Sequence, residues 1–226
     1  MDRKTVLWIL AITAIALTVA LLLPGGKSPD SKPKLPWLID IDSSGYSRIF
    51  DITLGQSTLA DTRQVLGAEG KVNVFVSKDD SRVLEAYFNR LYISGIKADL
   101  VLSLSLGDER LDTIYQHGIR ISQLGDGSKK ITIAPEDMAM VATAIVERIT
   151  YLPAAKLDQD LIHHRFGKPY SIIKEQSGIE HWLYPQKGLD IALNPEGKEV
   201  FQYVRPAAFD EVIRPLLELK HSRRNN

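Results

Sequence analysis

The sequence predicts an α+β protein: an N-terminal transmembrane helix, then two related units of helix followed by antiparallel meander sheet, with a C-terminal helix. Three observations lead to this fold class. Residues 6–23 form one apolar run, two later segments repeat the order helix, glycine and strands, and an amphipathic segment follows them. The predicted boundaries are 1–5 for a cytoplasmic tail, 6–23 for the transmembrane anchor, 24–37 for a flexible linker, 38–134 for the first unit, and 135–226 for the second unit with its leading and trailing helices.

The apolar run is long enough to cross a bilayer, because about 18 helical residues extend roughly 27 Å. Arg3 and Lys4 directly precede it, as in a signal-anchor, although Lys27, Lys32 and Lys34 follow it and nearly balance the count. The chain has no cysteine, which excludes a lipoprotein anchor. We therefore expect a single-pass protein held in the inner (cytoplasmic) membrane through residues 6–23, with most of the chain in the periplasm.

Composition limits the classes of partner. Residues 24–36 are rich in Pro, Gly, Ser and Lys, which predicts a semi-extended tether and no core of its own. The whole chain has 28 basic and 28 acidic side chains. Nucleic-acid binding needs a basic excess or a basic face, so this balance argues against a nucleic-acid partner.

The first unit begins with "TLGQSTLADTRQVLG". Ser57 or Thr58 is suited to cap a helix N-terminus, and Gly67 is suited to end the helix. Strand patterns follow, with leucines alternating from Leu100 to Leu106. The sequence "LGDE" then predicts a turn, and "RLDTIYQ" predicts a closing strand.

Two further elements are predicted between the units. Gly125, Asp126 and Gly127 favour a β-hairpin turn. From Pro135 to Ile149 the sequence predicts a helix, with Pro in the first turn and acidic residues near the positive end of the helix dipole.

The second unit repeats the order of the first. Leu157, Leu161, Ile162 and Phe166 are spaced for one helical face, and Gly167 ends the helix. Residues 178–204 then read as three strands separated by two tight turns, one of them "NPEG". A last helix is predicted at about 207–219, with a proline inside it.

The segment "ITLGQSTLADTRQVLG" resembles the opening of the BamE/SmpA-like small lipoproteins, and "FGKP" with "WLYPQKGLDIALNPEGKEVFQYV" resembles their later strands. The resemblance implies a helix-plus-antiparallel-sheet layer that binds protein partners and has no catalytic residues, similar also to the tandem-unit β-lactamase inhibitor proteins. This chain differs in having no lipobox cysteine, in its anchor and in its two units. The matching residues are Gly55, Ser57, Leu66, Gly67, Phe166, Gly167, Pro169, Trp182, Tyr184 and Gly188.

Motifs for catalysis or metal binding are missing from the sequence. His163 and His164 are adjacent, so on a helix they point about 100° apart and cannot chelate one ion without help. The sequence has no Gly-x-Ser-x-Gly nucleophile elbow and no cysteine nucleophile. We therefore expect no enzyme activity, no metal and no cofactor, although a Ser/His/Asp set from distant segments stays open.

The aromatic residues of the second sheet give the candidate binding site. Trp182 and Tyr184 share one face of a strand, and Tyr203 on the final strand can join them. Two interpretations stay open: these rings fill the helix-covered core, or they line the uncovered face and bind a partner. His181, Asp190 and Asn194 are candidates for either side.

The sequence thus favours a membrane-anchored extracytoplasmic protein-binding module. The expected role is an accessory or scaffold factor in bacterial envelope assembly or secretion, with another envelope protein as its partner. Anchoring would raise its effective concentration near membrane partners. The alternatives are a lipid or small-ligand carrier and an envelope hydrolase with a dispersed active site.

Overall fold

The computed structural model describes residues 33–222, and the residues from Lys34 onward belong to one compact unit. The strands are β1 Asp40–Ile41, β2 Ser47–Ile49, β3 Ile52–Thr53, β4 Lys71–Val76, β5 Arg82–Ile93, β6 Ile96–Ser105, β7 Arg120–Gln123, β8 Lys129–Thr132, β9 Ile145–Pro153, β10 Ser171–Lys174, β11 Glu180–Tyr184, β12 Leu189–Leu193 and β13 Val200–Tyr203. The α-helices are α1 Leu59–Leu66, α2 Asp108–Gln116, α3 Met138–Ala142, α4 Gln159–Phe166 and α5 Phe209–Ser222.

Ten of these strands form one antiparallel sheet in the order β10-β11-β12-β13-β9-β6-β5-β4-β8-β7. The remaining strands, β1 to β3, form a small separate sheet. Strand β9 lies between the two meanders, where it pairs with β6 on one side and with β13 on the other. Helix α1 is followed by the meander β4–β6 and helix α4 by the meander β10–β13, and β9 joins the two meanders into a single sheet.

The two faces of the large sheet differ in what covers them. We call the covered face the one whose side chains pack into the main core with α1, α2, α4 and the β1–β3 segment. Aromatic rings form its centre, with Phe201 5.6 Å from both Tyr151 and Phe166 between ring centroids. On the other face, which we call the open face, α5 packs at one margin over a smaller cluster that includes Ile173, Leu183, Val204, Phe209 and Ile213.

Several helix and turn predictions are confirmed. Thr58 caps α1 and forms a capping box with Asp61, and Gly67 ends the helix in the left-handed conformation. Helix α4 ends at Gly167 as expected, and the glycine turn at residues 125–127 connects β7 to β8.

Two other predictions about elements are wrong. The segment predicted as a helix from Pro135 to Ile149 contains a 3₁₀ turn and the short helix α3, after which the chain forms β9. Its β-branched residues are stabilised there by pairing with two neighbouring strands, which outweighs local helix propensity. The predicted closing strand of the first unit is helix α2, where Leu111, Ile114 and Tyr115 share one side at helical spacing.

The predicted fold class also needs correction, because it included a membrane-spanning helix. In the part of the chain that the structure describes, no helix is both long and apolar enough to cross a bilayer. The predicted span at 6–23, the tail at 1–5 and most of the linker lie outside the described residues. What the described residues show is an α+β fold with a large antiparallel sheet. The boundary at 134/135 stays a prediction.

The turn between β11 and β12 depends on a glycine. Gly188 has a φ of 60°, and a Cβ atom there would collide with the carbonyl oxygen of Val204. The backbone N–H of Val204 in turn donates to the carbonyl of Gly188 at 2.8 Å. This close approach holds the end of β13 against the turn.

Candidate functional site: the open face of the sheet

The open face runs across the five adjacent strands β4, β5, β6, β9 and β13. Burial alternates along each strand, so every second side chain is buried in the core and its neighbours are partly or largely exposed. Val83 and Tyr87 are the most exposed large hydrophobic residues in the central part of the face, at 40% and 39%. The side chains that define the face are Phe75, Val83, Glu85, Tyr87, Val101, Ser103, Arg148, Thr150 and Gln202.

Two charged side chains lie near the centre of the open face. Glu85 on β5 and Arg148 on β9 are each paired in register with Ser103 on the intervening strand β6. Burial raises the pKa of Glu85, and the positive charge of Arg148 opposes that shift. The Nε of Arg148 is fully buried and has no hydrogen-bond partner among the described residues.

Tyr87 is held in place by a hydrogen-bonded network on the same face. Its hydroxyl donates to Oδ2 of Asp99 at 3.0 Å, and Oδ1 of Asp99 accepts the backbone N–H of Arg90 at 2.7 Å. The hydrogen bond to Asp99 raises the pKa of Tyr87, so the ring stays a neutral donor at ordinary pH. An exposed aromatic ring with a fixed orientation is a good contact for a protein partner.

The three aromatic residues predicted as partner contacts lie on the covered face. Trp182, Tyr184 and Tyr203 are 7%, 5% and 0% exposed and belong to the main core. Burial raises the pKa of Tyr184 to about 12, and its hydroxyl donates to the carbonyl of Gly167. Of the two interpretations that the sequence left open, the structure places these rings in the helix-covered core, where Tyr184 lies 6.2 Å from Phe166 of α4 between ring centroids.

A buried polar cluster lies on the other side of the same strands. Nδ1 of His181 is 2.9 Å from Asp190 and Nε2 is 3.1 Å from Glu175. Burial acts to lower the pKa of His181, but hydrogen bonds and charges from both acids outweigh it and the net shift is upward. Each ring nitrogen of His181 lies within hydrogen-bonding distance of a carboxylate oxygen. General-base catalysis needs a ring nitrogen that faces a hydroxyl nucleophile, and neither nitrogen of His181 does so.

A cleft of about 340 Å³ lies beside the N-terminus of α4. Charged and polar side chains line it together with apolar ones, and the charged and polar set includes Lys156, Asp158, Glu180, Asn194 and Glu199. Pockets that hold lipids or drug-sized ligands are mostly apolar. The five charged side chains around this cleft distinguish it from such a pocket.

No protein-family model, curated protein or solved structure matches this chain. The resemblance to the BamE/SmpA-like domains accordingly stays a prediction from the quoted residues.

Sequence reasoning missed the residues of the open face. Glu85, Tyr87 and Arg148 carry no recognisable motif, and Arg148 falls in the segment that was predicted to be helical. One signal was available, since Leu84, Ala86 and Phe88 alternate with more polar neighbours. That pattern reveals two faces, but it does not show which of them other elements cover.

Proposed function

We propose that this domain is a non-enzymatic protein-binding module that docks a partner on its open face. The observation that supports this most directly is the asymmetry of the sheet. Helices and the β1–β3 segment pack against the covered face, while α5 packs on the opposite face at one margin. An antiparallel sheet can leave one face in water, but that face is then available for contact.

The composition of the open face fits a non-obligate interface. It combines aliphatic and aromatic contacts from Val83, Val101 and Tyr87 with hydrogen-bonding groups and one arginine. Tyrosine and arginine are enriched among residues that dominate binding energy. A mixed surface of this kind also stays soluble when the partner is absent.

The size of the face sets how the partner must bind. Five strands spaced about 4.8 Å apart give a width of about 20 Å, and five residues along a strand give a length of about 14 Å. A standard interface buries about 800 Å² on each partner, which is more than this central area supplies. The partner is therefore expected to contact the margins of the face as well.

A role as an accessory or scaffold factor in the bacterial envelope is part of the proposal, as is placement outside the cytoplasm. Both rest on the sequence of residues 1–32, outside the described part of the chain. The placement can be tested because the natural chain lacks cysteine. A Ser81→Cys variant, changed in an exposed turn, should react with a membrane-impermeant thiol reagent in cells whose outer membrane is permeabilised. Labelling only after lysis would refute the placement.

The docking proposal is tested by photo-crosslinking in cells. A photoreactive amino acid at Tyr87 should capture a protein, whereas the same group at Tyr170, which is 82% exposed just before β10 and outside the open face, should not. A Val101→Glu change in the centre of the face should abolish capture while the circular dichroism spectrum is unchanged. Equal capture from both positions, or capture that survives Val101→Glu, would exclude the open face as the docking surface.

A further inference from the structure

The two central charges of the open face are placed symmetrically about β6. Glu85 lies one strand to one side of Ser103 and Arg148 lies one strand to the other side, at the same level along the strands. Adjacent strands are about 4.8 Å apart, so the two backbones are separated by roughly 10 Å. The charge of Arg148 acts on Glu85 within one copy, but no hydrogen bond joins the two side chains among the described residues.

A β-bulge accounts for the position of Glu147, the acid next to Arg148 in the sequence. The pairing of β6 with β9 shifts register between Ser103 and Leu104, so Glu147 is an extra residue on β9. Glu147 forms an ion pair with Arg205 at 3.3 Å. Glu147 is therefore already engaged, and the buried Nε of Arg148 is left without a hydrogen bond to any described residue.

We propose that the open face binds the open face of a second copy of this chain, about a twofold axis that runs parallel to β6 past Ser103. This inference rests on the proposed function and names the partner. Rotation about that axis exchanges the β5 side with the β9 side. Each Glu85 then lies opposite the Arg148 of the second copy, and the two ion pairs form symmetrically.

The neighbouring positions fit the same rotation. Tyr87, Val101 and Thr150 form the next outward-facing row across β5, β6 and β9. In the dimer Val101 of one copy contacts Val101 of the other at the axis. Tyr87 of each copy packs over the smaller Thr150 of the other. Two sheets that pack face to face lie about 10 Å apart, a distance that such side chains fill.

Helix α5 supplies the area that the central strands lack. The same rotation places the margin of one copy that carries α5 opposite the β8–β7 margin of the other. The first turn of α5 carries exposed Asp210 and Glu211, while the β8–β7 margin carries Lys130 and Arg120 on the open face, so the charges are complementary.

Charge exchange provides the decisive test. In the full chain, Glu85→Arg alone places like charges opposite each other at both pairs, and Arg148→Glu alone does the same. Each variant should dimerise at least about 100-fold more weakly in sedimentation velocity across a dilution series. An equimolar mixture of the two variants should restore dimerisation as a heterodimer, because every opposed pair is then opposite in charge. The variants leave residues 1–32 unaltered, so association through that segment would not follow this pattern.

A second measurement remains informative if a charge variant fails to fold. Ser103→Cys places the only thiol of the chain beside the axis, and a short bis-maleimide should link two copies in high yield. Ser177→Cys, in the exposed β10–β11 turn, is the matched control and should stay monomeric. Equal linking of both variants, or no rescue in the mixture, overturns self-association.

The two proposals fail in different ways. If the chain is monomeric but Tyr87 captures a different protein in a manner sensitive to Val101→Glu, self-association is wrong and the docking function stands. If the chain is monomeric and the open face captures nothing, both proposals are wrong.

Discussion

Replacing Phe201 by alanine should destabilise the domain far more than the same change at Gln202, its neighbour on β13. Phe201 is fully buried, and its ring centroid lies 5.6 Å from that of Tyr151, 5.6 Å from that of Phe166 and 6.5 Å from that of Tyr203. Gln202 points to the open face and is only partly buried. The two variants therefore compare the covered face and the open face at neighbouring positions of β13.

The expected magnitudes follow from burial. Removing a fully buried phenylalanine side chain loses its transfer free energy and leaves a cavity, which together cost about 3–5 kcal/mol. Loss of ring contacts accounts for about 0.5–1.5 kcal/mol of this for each strong aromatic pair. A change on a solvent-facing position away from a cap or a polar network stays within about 0.5 kcal/mol.

The free energy of unfolding can be measured by guanidinium denaturation, followed by circular dichroism and by the fluorescence of buried Trp182. Measurements below the dimer dissociation constant keep association from contributing. A loss of less than about 1 kcal/mol for Phe201→Ala, or equal losses for the two variants, would contradict the face assignment. The assignment of Phe201 to the covered face and of Gln202 to the open face would then be wrong.

Three further outcomes are expected. The folded-state pKa of His181 is raised, so its contribution to stability is complete below about pH 6.5 and is lost as the pH rises through the folded-state value; His181→Gln should remove this slope from the unfolding free energy. Gly188→Ala should cost about 1–3 kcal/mol more than Gly67→Ala, because both glycines have φ near 60° but only at Gly188 would a Cβ collide with a carbonyl. Tyr203→Phe should cost about 1–2 kcal/mol, because the buried hydroxyl donates to the carbonyl of Pro36 at 2.9 Å.

Each of these outcomes has a result that would contradict it. Stability of the natural chain that rises between neutral and mildly alkaline pH, with the rise absent in His181→Gln, would reverse the assigned direction. Equal costs at the two glycines would show that the turn relaxes to admit a side chain. An unchanged unfolding free energy for Tyr203→Phe would show that the Pro36 carbonyl finds another donor.

Local signals predicted the elements that local chemistry determines. Thr58 with Asp61 and Gly67 specify both ends of α1 within one short segment, and glycine and aspartate specify the β7–β8 turn. The helix α4 was predicted for the same reason, since its apolar spacing and its terminal Gly167 are adjacent in the chain.

The central strand β9 could not be predicted in this way. Its apolar residues Val146 and Ile149 are three apart, which suits a helix as well as a strand with a bulge. What decides between them is pairing with β6 and β13, and both lie far away in sequence. The same limit applies to the site, because the burial of Trp182 and the exposure of Tyr87 depend on where helices pack.

The hydrogen bond from Tyr203 to Pro36 also fixes where the chain enters the domain. Tyr203 points into the covered side, so Pro36 lies behind the sheet relative to the open face. A label attached close to Pro36 would therefore lie away from the docking surface. Attachment to α5 would instead place the label beside that surface, so experiments on recognition should attach the label close to Pro36.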